Sequence, residues 1–204
     1  MPSPNTLKER SPGGTYHVFN RGVERRSVFY DERDYAFFLY LLRRALMPAS
    51  AGRSRETHLV FHGKIRLLAF CLMDNHFHLL LAQVGSQDMT GFMRSVANAY
   101  VRYFNGRHTR VGPLFQSRYK ARLLETDADL LGVSRYIHQN PTATGVNDWE
   151  DYPYSSLPAY LGKKTYPWIS TEPIKVHFRD HKDYSAFVRE GVAFDAPERD
   201  LAIA

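Results

Sequence analysis

Residues 64–84, KIRLLAFCLMDNHFHLLLAQV, decide how the chain is read. The run from Lys64 to Met73 is strongly apolar, and so is most of the run from His76 to Val84. Between them stand Asp74 and Asn75, residue types that tolerate the positive φ of a tight hairpin turn. The pattern predicts two antiparallel strands joined at Asp74-Asn75. His76 and His78 interrupt the returning strand, where Val or Ile would serve a strand better. Residues i and i+2 of a strand project to one face. His76 and His78 therefore point together, and Phe77, Leu79 and Leu81 point the other way. Two imidazoles side by side can each give a nitrogen to one divalent cation. They can equally form a hydrogen-bonded structural pair.

Outward from the hairpin the periodicity alternates. TYHVFN, 15–20, is β-branched and aromatic, bounded by glycines, and reads as a strand. Residues 31–47 carry Tyr35, Phe38, Leu39, Leu42, Ala45 and Leu46 at helical spacing and end at Pro48. A polar loop is expected over 48–56. Residues 88–104 predict a second helix, ended by Asn105-Gly106. Residues 113–125 alternate, with Leu114, Gln116, Arg118, Lys120 and Arg122 on one side, and predict a strand. Thr126 with Asp129 resembles a capping box, so a third helix should run through Leu130, Val133 and Ile137 and stop near Asn140, before Pro141. A short helix is expected around 182–191.

The order β-α-β-β-α-β-α predicts an α+β fold: a ferredoxin-like antiparallel sheet with two helices on one face. The added last helix of that order must pack elsewhere, where it could cover the opposite face. Residues 1–14, rich in Pro, Ser and Gly, read as a flexible lead-in, 15–145 as the domain, and 146–204 as an extension packed on it.

The bulk composition narrows the function. Apolar content of 44% and aromatic content of 14% in 204 residues suit a folded globular chain. One cysteine, Cys71, permits no disulfide framework and suits the cytoplasm. No apolar run of about 18 residues predicts a membrane span, and the N-terminus lacks the apolar core of a secretory signal. Net charge is +6, unevenly spread. Residues 89–124 hold Arg94, Arg102, Arg107, Arg110, Arg118, Lys120 and Arg122 with no acid, interleaved with Tyr100, Tyr103, Phe104, Phe115 and Tyr119. Arginines supply phosphate contacts and aromatics supply stacking faces, so a nucleic acid is the expected partner. Arg118, Lys120 and Arg122 share one face of the predicted strand, with Arg102, Arg107 and Arg110 around its approach.

A partner for the histidines is offered by SRYIHQNP, 134–141. Tyr136 and Asn140 lie four residues apart and share a helix face. Asn140 has a carbonyl oxygen suited to a metal, and Tyr136 a phenol one turn away. A buried aromatic with a terminal Asn would give the same pattern.

His76-Phe-His78 resembles the histidine-hydrophobic-histidine motif of HUH single-strand nucleases. YIHQNP, 136–141, together with SSLPAYLG, 155–162, resembles the REP-associated tyrosine transposases, single-tyrosine relatives of insertion-sequence transposases. The resemblance runs from about His17 to Gly162. It implies a ferredoxin-like fold, single-stranded DNA bearing hairpin-forming repeats as substrate, and Mg²⁺ or Mn²⁺ as cofactor. It implies that His76, His78 and Asn140 are metal ligands, and that Tyr136 is the nucleophile of a strand transferase that cleaves through a 5′-phosphotyrosine. Phenols ionise near a pKa of about 10; Arg135 or Lys120 could favour the charged form. A DNA-binding regulator without turnover, or a metal-dependent phosphodiester hydrolase using activated water, fits the same residues. Insertion-sequence relatives work as dimers; a monomer is expected here, because the chain after Gly145 could cover the surface a partner would occupy.

Overall fold

The computed structural model describes residues 11–48, 60–145 and 148–190. Strands β1 (Thr15–Arg21), β2 (Ile65–Leu72), β3 (His76–Gln83) and β4 (Lys120–Leu124) form one sheet in the order β2-β3-β1-β4, with every neighbouring pair antiparallel. Helices α1 (Glu32–Leu46) and α2 (Asp88–Arg107) supply the crossovers. This is the ferredoxin-like arrangement that the sequence predicts. The lead-in is described only over 11–14. There Gly13 N–H donates to the Val84 carbonyl at 3.0 Å, and Ser11 N–H to the Tyr16 hydroxyl at 2.9 Å. Residues 1–10, most of the expected polar loop, and the ends of the C-terminal extension lie outside the described residues.

The sheet is buried on both faces, which is why its hairpin is nearly all apolar. On one face Tyr16, Val18, Phe70, Phe77, Leu79 and Leu81 pack with Phe38 and Leu42 of α1 and Phe92, Val96 and Tyr100 of α2. On the other, Leu68, Ala69, Leu80 and Ala82 pack with Val133 and Ile137 of α3 (Asp127–Gln139). The C-terminal segment completes this second layer through α4 (Leu157–Tyr160), α5 (Glu172–Lys175) and α6 (His181–Arg189), which bring Leu157, Tyr160, Ile174, Tyr184 and Val188. A bulge in β2 between Leu67 and Ala69 turns Leu68 and Ala69 both into this layer, and the Leu68 carbonyl accepts from the Tyr160 hydroxyl at 2.7 Å.

The cap expected at Thr126 is present, and α1 has one as well. Asp31 accepts from the Arg33 and Asp34 amides at the start of α1, and Thr126 accepts from the Asp129 amide at the start of α3.

Three local readings are corrected. The Asp74-Asn75 turn uses no positive φ. It is held from outside: the Asp74 carbonyl accepts from the Val28 and Phe29 amides at 2.7 and 3.0 Å, and the Asn75 carbonyl from the Gly22 amide at 2.9 Å. Helix α2 continues past Asn105-Gly106 to Arg107, and the left-handed residue is Thr109, φ 50°. Segment 113–119 is not part of β4. Phe19 pairs with Lys120, and Gly22 bridges to Phe115. Between those points four residues, 116–119, face only two, Asn20 and Arg21. The excess forces the segment out of the ladder as a loop, so Arg118 leaves the strand face it was expected to share with Lys120 and Arg122.

Candidate active site

Strand parity sets the floor of the site. His78 pairs with Phe19 and His76 with Arg21 across β3–β1, while Phe19 pairs with Lys120 and His17 with Arg122 across β1–β4. His76, His78, His17, Lys120 and Arg122 therefore share the face covered by α3. Helix α3 lies across the histidines. The Tyr136 ring stands edge-on to His78, centroids 5.2 Å apart, and edge-on to His17 at 5.8 Å. One turn on, Asn140 Oδ1 is 3.0 Å from His76 Nε2. The structure thus brings together the four residues singled out from the sequence: His76, His78, Tyr136 and Asn140.

Hydrogen bonds orient both rings. Asn75 donates its amide NH₂ to the Arg25 carbonyl at 3.2 Å, which turns its oxygen toward His76 Nδ1 at 2.6 Å. An amide oxygen only accepts, so the proton of His76 sits on Nδ1 and Nε2 presents a lone pair. That lone pair and Asn140 Oδ1 are two acceptors face to face, a pairing that a shared cation would satisfy. His78 Nδ1 lies 2.9 Å from His17 Nε2. Its other nitrogen, Nε2, is buried and has no hydrogen-bond partner among the described residues. A buried polar atom without a partner costs about 1–3 kcal/mol.

Burial keeps these rings neutral, as ligation requires. It pushes the His78 pKa well below the usual imidazole value, with His76, His17 and Arg21 adding to the effect. It lowers His76 as well, against the pull of Asn140. His17 falls to about 3, by burial first and then by the nearby Arg122 charge. Among the described residues no three His, Cys, Asp or Glu side chains cluster as a metal site. The donor set is two imidazoles and one amide oxygen. It fits a divalent cation that keeps open positions, and leaves most of the cation's charge uncompensated.

The cationic residues divide by layer. The Lys120 ammonium lies 6.0 Å above the Phe19 ring, beside His78. Arg122 Nη2 meets Asp129 at 3.0 Å. Arg118 is exposed on the 113–119 loop. Arg102 and Arg107 belong to α2, in the layer on the opposite sheet face, and Arg110 follows it. Arg107 is engaged by Asp31 at 2.6 Å and by fully buried Asp34 at 2.5 Å, and Arg110 by Asn105 at 2.9 Å. Arg135, considered as a cation for the phenol, instead stacks 4.6 Å over Phe187 of α6.

Two histidines carry more than the sequence suggested. The pairing of His17 with His78 spans 61 positions. His138 faces away from Tyr136 and is fully buried. Its Nδ1 is 2.6 Å from the Tyr184 hydroxyl and its Nε2 2.7 Å from Ser156 Oγ, which in turn accepts from the Phe70 amide at 2.8 Å. This bridge ties α3 to α6 and to β2. Among the described residues no helix is long and apolar enough to cross a membrane.

The family of IS200-like transposases matches residues 56–140, a span that includes both histidines, Tyr136 and Asn140. A candidate REP-associated tyrosine transposase of Haemophilus influenzae is 27% identical over 128 residues, covering 56% of this chain and 73% of that protein. The solved structure of a REP-associated tyrosine transposase bound to a REP hairpin superposes with a TM-score of 0.58 at 15% identity, covering 82% of this chain and 91% of that one. In sequence and in fold the chain is similar to the REP-associated tyrosine transposases, and its IS200-like segment is the part that carries the paired histidines and the tyrosine facing them.

Proposed function

We propose that the protein is a DNA strand transferase of the REP-associated tyrosine transposase kind, cutting single-stranded DNA beside a hairpin through Tyr136. The observation that carries this reading is the position of the Tyr136 ring, 5.2 Å from His78 on a helix that also sets Asn140 against His76. His76, His78 and Asn140 would hold Mg²⁺ or Mn²⁺, which when bound supplies charge neutralisation at the scissile phosphate. Tyr136 Oη attacks phosphorus and gives up its proton to solvent. The phosphorus–O3′ bond breaks, and the departing oxygen takes a proton to become a free 3′-OH. The 5′ phosphate stays on the tyrosine, so a 3′-OH can later rejoin the strand without ATP. Lys120, on the same sheet face, favours the phenolate and the phosphate alike. Arg122 extends that cationic track, with Arg118 on the neighbouring loop and Arg102 on α2 as further candidate contacts to the DNA backbone, whereas Arg107 and Arg110 are taken up by Asp31, Asp34 and Asn105. The segment after Gly145 packs on the same sheet face as α3, covering surface a partner would otherwise occupy, which favours a monomer.

The test is incubation of the full chain with a labelled oligonucleotide, a hairpin with single-stranded flanks, and Mn²⁺. A labelled band that survives denaturing electrophoresis and vanishes in Tyr136→Phe is the expected result. Cleavage without an adduct would instead indicate a hydrolase using water, and binding without cleavage a regulator.

A further inference from the structure

A second concavity lies on the other side of β1, away from the histidines. It is a cleft of about 520 Å³ between α2 and segment 113–119. Its origin is the register mismatch that throws that segment out of the ladder. Hydrogen bonds make it a preformed wall: the Leu114 carbonyl accepts from the Val23 amide at 2.9 Å, Gln116 N–H donates to the Arg21 carbonyl at 2.9 Å, and the Asn20 side-chain Nδ2 donates to the Ser117 carbonyl at 3.1 Å. One end is closed where Thr90 Oγ1 meets the Tyr119 hydroxyl at 3.2 Å.

The lining has two chemistries. Met93, Phe115 and Tyr119 give flat or polarisable apolar surface. Asn98 offers an amide, and Arg94 and Arg118 offer guanidiniums, with no acidic residue in the wall. The volume falls in the range of small-molecule sites. An apolar slot with an amide and two cations, and no opposing charge, matches a planar heterocycle joined to a phosphate. Stacking on aromatic faces with cations along the backbone is how unpaired nucleotides are held.

We propose that this cleft binds one unstacked nucleotide of the DNA, its base beside Phe115 and Tyr119 and its phosphate against Arg94 and Arg118. This rests on the DNA-processing reading and adds a recognition site separate from the cutting site. Adjacent residues of β1 link the two: Asn20 lines the cleft, whereas Arg21 pairs with His76 on the opposite face.

The test scans 2-aminopurine through the flanks and loop of a hairpin oligonucleotide, and reads its fluorescence and affinity with the full chain. Two variants accompany the wild type. Ala97→Trp fills the cleft from α2; Arg94→Ala with Arg118→Ala alters only exposed side chains and so keeps the fold. Wild type should show one position, outside the cut site, whose fluorescence changes on binding. That change should vanish in Ala97→Trp, with affinity about tenfold weaker, while the Tyr136 adduct still forms at saturating DNA. The arginine pair should flatten the dependence of log affinity on log salt by about 0.7 for each phosphate deprived of its guanidinium. Wild-type affinity, fluorescence pattern and salt slope retained in both variants would overturn the proposal while leaving DNA binding intact. A wild type that binds no oligonucleotide would overturn the DNA reading and this proposal with it.

Discussion

His17 Nε2 lies 2.9 Å from His78 Nδ1, between two rings that are both almost wholly buried. A neutral ring carries one proton, so this contact sets which nitrogen of His78 holds it. With His17 accepting, His78 holds its proton on Nδ1 and turns the Nε2 lone pair toward the space beside Tyr136. The reverse tautomer would aim an N–H there and repel a cation. His17→Gln, which keeps an acceptor, should retain Mn²⁺ affinity. His17→Phe should lower it about 10- to 100-fold, the usual effect of losing a ligand's outer partner. Titration calorimetry with Mn²⁺ on the DNA-free protein measures this without any catalytic step. Equal affinities for all three proteins would remove His17 from the site.

Arg107 and the β4 cations should behave differently when removed. Arg107→Ala takes its guanidinium partner from the fully buried Asp34 carboxylate, which keeps His108 and the Tyr30 amide. Taking this partner from a buried carboxylate should be readable as a clearly lower urea midpoint. Lys120→Ala should leave the midpoint nearly unchanged and reduce the salt slope of single-strand binding by about 0.7. A stable Arg107→Ala protein with weakened DNA binding would return that residue to the DNA interface.

Stability should fall on mild acidification. Burial holds His17 and His138 at about 3, whereas an unfolded imidazole titrates near about 6.5. Below that value the unfolded chain binds more protons than the folded one. The stabilisation is complete above about pH 6.5 and is lost as the pH drops toward about 3. The slope is up to about 1.4 kcal/mol per pH unit for each such ring. Urea midpoints should therefore drop between about pH 7 and about pH 5, and His138→Phe should flatten the curve. A midpoint insensitive to pH over that range would contradict the buried neutral rings.

The bridge from α3 to α6 gives a further test. Tyr184→Phe removes the hydroxyl shared by His138 and Ser134, leaving buried polar atoms short of partners at about 1–3 kcal/mol. Hydrogen exchange should accelerate in 127–139 more than in 88–107, because the bond ties down α3 and not α2. Uniform acceleration across both helices would show that the bridge has no local role.

Legibility followed range. The apolar hairpin, the Thr126 cap and the parity of β3 depend on neighbouring residues, so the sheet order and the shared face of His76 and His78 could be read from local patterns. The placement of Tyr136 over that face could not be derived from spacing alone; the YIHQNP resemblance supplied it. What escaped was set by distant partners. Arg107 meets Asp31 and Asp34, 76 and 73 positions away, and this docking accompanies α2 running through Gly106. The alternation over 113–125 was real, but its first half pairs with the end of β1 two residues out of step. His17 became meaningful only once the β1–β3 register was known.

The place of β4 at the sheet's outer margin carries a geometric consequence. A single DNA strand seated in the α2 cleft and also cut at Tyr136 must go around that margin, since the sheet has no opening between its paired strands. The path length around β4 then acts as a ruler. It would set a fixed number of nucleotides between the base that is read and the bond that is broken, whatever their sequence.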